Sequence, residues 1–401
     1  MKGSRMRVIL GCDPLLMPLT GIGHYTWQLG NGLKQHCDVQ SLALFAHGKF
    51  FSEQLLDPVV TIDNNETGSS TNEKASLLAK IRMTLAASTY AVKVYQWLSP
   101  ALMRFMLRHH GSYIFHSPNF SLPPFKGKKV VTIHDLSTLV LPQFHPPSRV
   151  EFVNNAIRDA AVKADHIITD SEFIKCEIIE HVNVAADKIT AIHLGADPVY
   201  YPRTQAECDV ALAEHQLVYG HYFLFVSTIE PRKNLVNLLQ AYCLYREQCP
   251  DGNPLVLVGG KGWNSEDIHR TISILDAKGW VKYLGYVSQH KMPLLYCGAR
   301  ALLFPSIYEG FGLPVLEAMQ SGTAVMTSMN SPMAEVALDC AVLVEPGDVA
   351  QMAEQITTMA QDDVLVNGLS AKGLIRAKDF SWHNVVNKTL EVYRGLATPT
   401  R

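Results

Sequence analysis

The sequence predicts an α/β protein built as two doubly wound halves, each a parallel sheet flanked by helices. Three observations carry this. Short apolar runs alternate with helical patterns from Arg7 to His193, the signature of successive βαβ units. The alternation breaks over residues 200–220, where Pro202, a short polar helix near Glu207 and Gly220 read as a linker. It then restarts at Tyr222 and runs to a last helix near the C-terminus, with no sequence repetition between the halves. A chain of 401 residues has the length for two or three domains, each able to bury a core.

In the first half, strands are expected at 7–12, 41–45, 112–115, 129–133, 166–169 and 189–193. Gly21-Ile22-Gly23-His24 opens a helix from Tyr25 to Gln35. This is not a complete G-x-G-x-x-G, because Thr26 stands where the third glycine belongs, so a dinucleotide site is not expected. A tight turn and a ligand contact both remain open readings of Gly21 and Gly23. Residues 57–73 are polar and rich in turn formers. Lys74 to His110 carries six Lys/Arg, no acid, and Tyr, Trp, Phe and Leu at helical spacing. That pattern suits a helix lying on anionic lipid, and equally a core helix pair with a basic outer face. His116 and Asn119 follow one strand, and His134 and Asp135 the next. In open α/β sheets such strand ends border the ligand crevice, so these four are expected to point into it. Asp170-Ser171-Glu172 reads as a helix cap.

In the second half, strands are expected at 222–226, 255–258, 281–284, 301–304, 324–327 and 341–344. Three strand ends are expected to share one crevice. The first carries Arg232-Lys233, the second Lys261, and the third the stretch Ser306 to Gly322. Gly310 and Gly312 let that last loop approach a ligand closely, and Pro314 suits the start of the helix that follows. A strand, a glycine loop and a helix N-terminus together suit an anion, and an adjacent Arg-Lys pair suits a diphosphate. Tyr286 and Val287 are placed to read a base edge. Glu309 would take a sugar and Glu317 a ribose diol. Taken singly, Glu309 is as readily a solvated loop acid and Glu317 a partner of the helix dipole.

Composition excludes other classes. The formal charge is −2, with 35 basic and 37 acidic residues, which gives no global field for nucleic acid. The eight cysteines are scattered without Cys-x-x-Cys, so reduced thiols in a cytoplasmic protein are expected rather than disulfides or a zinc site. The N-terminus reads as a first strand, not a signal peptide. No apolar window is long enough to span a membrane.

Tyr308-Glu-Gly-Phe-Gly-Leu-Pro-Val-Leu-Glu317-Ala-Met, preceded by Pro305-Ser306, resembles the signature of retaining family 4 glycosyltransferases of the GT-B fold. Phe380-Ser381-Trp382 resembles that family too, and Glu230-Pro-Arg-Lys-Asn234 resembles its GDP-mannose-using mannosyltransferases of bacterial surface polysaccharide synthesis. Residues 50–110 carry no such likeness. The resemblance implies two Rossmann-like domains facing a central cleft. Residues 1–205, with a C-terminal helix at about 380–401, would bind the acceptor, and 206–379 the nucleotide sugar. It implies that Arg232 and Lys233 grip the diphosphate, Glu317 the ribose and Glu309 the donor sugar. His134 would lie near the reacting sugar, and Gly21–Gly23 would close on the phosphates. Many members place an Arg directly after the first strand of this half, where this chain has Ser227-Thr228. Arg232 and Lys233 would then supply both positive charges. The family's members lack an Asp-x-Asp metal site, as does this sequence. No metal or other cofactor is expected beyond the nucleotide sugar as co-substrate. The expected partners are that donor and a glycan or lipid-linked acceptor at the cytoplasmic face of the inner membrane, with segment 74–110 as the membrane contact. A non-catalytic nucleotide-sugar-binding subunit, a transferase using a UDP- or dTDP-sugar, and a phosphorylase or epimerase of the same fold are the alternatives.

Overall fold

The computed structural model describes residues 5–16, 21–57 and 100–397. The polar stretch from residue 58 and residues 74–99 of the basic, aromatic segment lie outside the described residues. Of that segment, 100–110 is described, with a helix at 100–106.

The first seven strands are β1 (Met6–Gly11), β2 (Val39–Ala46), β3 (Lys49–Phe51), β4 (Ile114–Ser117), β5 (Lys128–Thr132), β6 (His166–Thr169) and β7 (Ile189–Ala191). They form one sheet in the order β3-β2-β1-β4-β5-β6-β7. β1 pairs in parallel with β2 and β4, and β4, β5 and β6 continue in parallel. β3, missed in the sequence, is the antiparallel arm of a hairpin. Its two-residue turn, His47-Gly48, has both residues at positive φ, 48° and 75°, as a hairpin turn matched to strand twist requires. Ile9, Phe45, Phe115, Phe125 and Leu107 form a buried cluster on this sheet.

The remaining strands are β8 (Phe223–Val226), β9 (Leu255–Val258), β10 (Val281–Gly285), β11 (Ala301–Phe304), β12 (Ala324–Ser328) and β13 (Val342–Val344). Their order is β10-β9-β8-β11-β12-β13, and each adjacent pair is parallel. β9 and β11 are buried at all four positions, so both read as unbroken apolar runs, as central parallel strands do. A helix missed in the sequence spans Asp363–Ala377. Its internal Gly368 and Gly373 hide the helical pattern. A Cβ on Gly373 would come within 3.2 Å of Met319, so the glycine lets this helix lie close to helix Leu313–Gln320.

In both sheets the strand order steps outward in one direction and then reverses, between β1 and β4 and between β8 and β11. These are the switch points at which open α/β sheets hold ligands. By sheet membership the chain divides between Ala191 and Phe223. By compactness it divides into unit 1, Met1–Ile133 with Asn155–Ile168 and Lys388–Arg401, and unit 2, His134–Asn154 with Thr169–Asn387. The sequence reading set the division at 205/206. That lies between the two sheets, and the compact units group the loops after β5 and β6 with the second sheet.

Helix Trp382–Ala397 ends the described chain. In unit 1 its Tyr393 hydroxyl is hydrogen-bonded to His116 Nδ1 at 2.5 Å, and Arg394 pairs with Asp38 at 2.5 Å.

Candidate functional site

Among the described residues, a concentration of buried charge lies at the β8/β11 switch point of unit 2. After β8, Pro231–Lys233 makes one tight 3-10 turn. Asn234 ends it at φ 62°, a left-handed conformation that asparagine tolerates better than most residues. Its amide donates to the carbonyls of Pro305 (2.9 Å) and Pro346 (2.7 Å). The asparagine of Glu-Pro-Arg-Lys-Asn therefore fixes the backbone and ties the turn to the end of β11. From the other side, Ile307 N and Ser306 Oγ donate to the Arg232 carbonyl at 3.0 and 3.2 Å.

This frame holds Arg232 and Lys233 with side chains 12% and 10% exposed. Arg232 donates to Glu230 from Nε (3.1 Å) and Nη2 (2.8 Å), and from Nη1 to the Tyr308 carbonyl (2.5 Å) and Glu309 (3.3 Å). Lys233 Nζ donates to the other oxygen of Glu309. Burial opposes ionisation of Glu309, but Lys233 and Arg232 hold its carboxyl below the ordinary range. Burial also works against the charge on Arg232, yet Glu309, Asp135 and Glu230 raise its pKa above the usual value. Burial pulls Lys233 below its ordinary value against Glu309. Two cations and their acids thus share a nearly dry pocket, where charge interactions are several-fold stronger than in water.

A second group adjoins the same loop. Gly310 packs so tightly that a Cβ there would sit 2.1 Å from the His134 carbonyl oxygen, so only glycine fits. Ser171 Oγ donates to the Gly310 carbonyl (3.0 Å). His134 Nδ1 is 2.7 Å from Asp170 Oδ2, with the side chains 14% and 4% exposed. Burial raises the Asp170 carboxyl above its ordinary range, with His134 pulling the other way. The acid bonded to His134 is therefore not its neighbour Asp135. Asp135 accepts from Ser137 N (2.9 Å), and although burial would raise its pKa, Arg232 and that hydrogen bond hold it low. The ladder accounts for the pairing. Thr132 lies opposite Ile168, so two residues on, the chain places His134 against Asp170. The expected cap belongs to Ser171 alone, whose Oγ accepts from Ile174 N.

Glu317 accepts from the Tyr296 hydroxyl at 2.8 Å. Burial pushes its carboxyl up to about 7, Tyr296 opposing and Asp197 adding to the rise. Phe311 is buried and its ring packs against His193 and Phe380 at 6.0 Å each, so its side chain is a packing element. Gly312 caps helix Leu313–Gln320 at φ 100°. Lys261 is held differently. Its backbone bridges to Ile229 beside the Arg232 turn, but its ammonium is 59% exposed and pairs with Glu266 at 3.5 Å. Tyr286 (82% exposed) and buried Val287 follow edge strand β10, two strand spacings or about 10 Å from β8.

The first-half candidates separate as well. His116 is fully buried and hydrogen-bonded through Nε2 to Thr132 (2.8 Å) and through Nδ1 to Tyr393. It is a core histidine, not a crevice group. The Asn119 carbonyl accepts from Ser117 and its side chain from Phe120 N, so it shapes its own loop. Gly21 and Gly23 form the first turn of helix Gly21–Gln35, which starts four residues earlier than expected. Sequence reasoning missed Asp170, the buried Glu230 carboxylate, Tyr296 and Tyr308. The Tyr308 hydroxyl donates to Glu177 and accepts from Leu136 N (3.0 Å). The available signal for Asp170 was its position at the end of a strand next to the one carrying His134.

Two sheets of one strand order, parallel apart from the β3 hairpin arm, the second with paired cations and a glutamate on a glycine loop at its switch point, define a GT-B-type sugar-transferring protein. Family models for "Glycosyltransferase Family 4" and "Glycosyl transferases group 1" match residues 19–200 and 219–374. The chain belongs to the family 4 glycosyltransferases. It is 36% identical over 389 residues to the O-antigen chain mannosyltransferase B of Escherichia coli, covering 97% of this chain and 100% of the relative. It is 25% identical to the O-antigen chain mannosyltransferase RfbU of Salmonella typhimurium, over 85% of this chain and 88% of that one. In fold it is similar to WaaG, a glycosyltransferase involved in lipopolysaccharide biosynthesis, with TM-score 0.68 and 13% identity over 96% and 99% of the two chains. A glycosyltransferase from Rickettsia africae gives 0.67 and 15% over 99% and 100%.

Proposed function

We propose that this protein transfers mannose from GDP-mannose, with retention at the anomeric carbon, to a glycan or lipid-linked acceptor in surface polysaccharide synthesis. The observation that carries the reading is Glu309 held between Arg232 and Lys233 at the β8/β11 switch point. The full-length likeness to an O-antigen mannosyltransferase supports the sugar and the pathway class. In this reading the diphosphate takes the two cations and Glu309 turns to hydroxyls of the mannose. The bond from C1 to the diphosphate oxygen breaks, and an acceptor hydroxyl forms the new bond on the face the diphosphate leaves. The hydroxyl proton departs with the diphosphate. Arg232 and Lys233 neutralise the charge that develops there, each such contact being worth ~3–4 kcal/mol of barrier. That role is one a metal fills elsewhere, so activity should persist in a chelator. Glu317 takes the ribose, Tyr286 and Val287 the base, and His134 the reacting sugar.

The membrane part of the reading rests on residues 100–110. Leu102 and Phe105 are 47% and 57% exposed, and the Arg108 guanidinium lies 3.6 Å from the Phe105 ring centre. Arg104, Arg108 and Lys126 line the same hollow as Phe105. Exposed apolar groups among cations fit an anionic bilayer surface. Co-sedimentation with anionic, but not zwitterionic, vesicles tests this part.

The decisive experiment is a panel of GDP-, UDP- and dTDP-sugars assayed for slow hydrolysis, with and without EDTA. GDP-mannose should be cleaved preferentially and its α-configuration retained in the product. Preference for a UDP- or dTDP-sugar would overturn the donor, inversion the stereochemistry, and no cleavage or thermal shift with any of them the whole reading.

A further inference from the structure

We propose that Asp170 is a positioning residue for transfer, fixing the ring orientation and tautomer of His134 at the reacting end of the site. This deepens the reading above and rests on it. The two side chains come from the ends of neighbouring strands and meet at 2.7 Å, nearly shielded from water. A carboxylate can only accept, so His134 Nδ1 carries the proton, and whenever the ring is neutral Nε2 is the acceptor nitrogen. The pair is held against the sugar loop, since Ser171, next to Asp170, anchors the Gly310 carbonyl and Gly310 is pressed on the His134 carbonyl. A displacement of His134 would therefore be felt at Glu309, one residue before Gly310.

A second observation separates this pair from an ordinary structural contact. Asp170 Oδ1 is buried and has no hydrogen-bond partner among the described residues. An acid kept only for packing or capping would be costly with half its acceptors unused. The capping is done by Ser171, and the adjacent Asp135 carboxylate is occupied with Ser137 and Arg232. What remains for Asp170 is the histidine, the arrangement by which a carboxylate orients an imidazole.

The test compares Asp170→Asn, His134→Ala and the double variant in GDP-mannose turnover, alongside the melting temperature. Asp170→Asn should lower kcat roughly 10- to 100-fold, the size usual when the carboxylate behind an oriented histidine is lost. Donor KM should change little. In the His134→Ala background the same change should cost nothing further. Additive losses, an unchanged kcat, or a loss confined to KM would overturn the proposal. Should Asp170→Asn fail to fold, ¹⁵N-histidine NMR of the wild-type chain decides, with the His134 signal assigned by its absence in His134→Ala. Protonation at Nδ1 supports the proposal, and protonation at Nε2 alone overturns it. If wild-type protein cleaves no donor, the function reading falls, whereas active wild type with an indifferent Asp170→Asn sinks the positioning role alone.

Discussion

The two switch points share a strand order and differ in what fills them. At β1/β4 the polar groups are hydrogen-bonded to one another: His116 is bonded to Thr132 and Tyr393, and Thr132 also to Tyr25 at 2.9 Å. At β8/β11 they are ionic, with Arg232 and Lys233 shared among Glu230, Glu309 and the field of Asp135. The same topology thus supports a closed hydrogen-bond network that stabilises packing, or a charged pocket in which the proposed diphosphate would exchange one anion for another. Strand order fixes where a ligand can bind. The charge of the residues at the strand ends decides whether one does.

The largest expected effect breaks the ionic side. Lys233→Ala should lower kcat for donor cleavage by roughly 10²–10³-fold, as removal of a charge-stabilising donor does. An activity within a few-fold of wild type would refute the diphosphate role. The matching change in the other unit, His116→Ala, should leave donor turnover largely intact. It should cost ~1–3 kcal/mol of stability in denaturant titration, because Tyr393 loses its His116 partner and Thr132 keeps only Tyr25 of its two. If His116→Ala instead abolished turnover at unchanged stability, the contrast between the two sites would be lost.

Much of this contrast was legible in the sequence, and its limits have physical causes. The two sheets showed because buried parallel strands are apolar runs bounded by turn formers, and Arg232, Lys233 and Glu309 showed because their spacing around glycines is dense with charge. His116 misled because a histidine at a strand end looks the same whether its partner is a ligand or a tyrosine 277 positions away. Asp170 was hidden by local reading, since Asp-Ser-Glu is a good cap and only the ladder register of β5 and β6 assigns the cap to Ser171 and the acid to His134. Lys261 shows another limit, because a strand end fixes where the backbone goes, while a long side chain follows the nearest acid, here Glu266.

Glycines at the two sites sharpen the comparison further. A Cβ on Gly310 would lie 2.1 Å from a backbone oxygen, whereas on Gly11, at the end of β1, it would meet the Pro118 ring at 3.0 Å. Gly310→Ala must move the loop or the His134 backbone and should cost ~1–3 kcal/mol, with donor affinity lost alongside. Gly11→Ala needs only a shift of a few tenths of an ångström and should cost less. Equal losses in thermal unfolding would show that the sugar loop is not specially tight.

The smallest effect concerns Glu317, whose carboxyl burial pushes up to about 7 from an ordinary 4.5. Between those values the folded state holds a proton that the unfolded chain releases, so this group's contribution to stability is full below about pH 4.5 and fades as pH rises through about 7. Carboxylates held low by cations, Glu309 among them, act in the opposite sense, being stabilising above their unfolded value and losing that effect as pH falls. Total stability therefore cannot isolate Glu317, but the difference between wild type and Glu317→Gln can. Across pH 5 to 7 that difference should move against the wild type by about 1–2 kcal/mol, and less if the site admits water. A difference that stays flat across this window would mean that Glu317 is ionised throughout, and that Tyr296 binds it as a carboxylate already suited to a ribose diol.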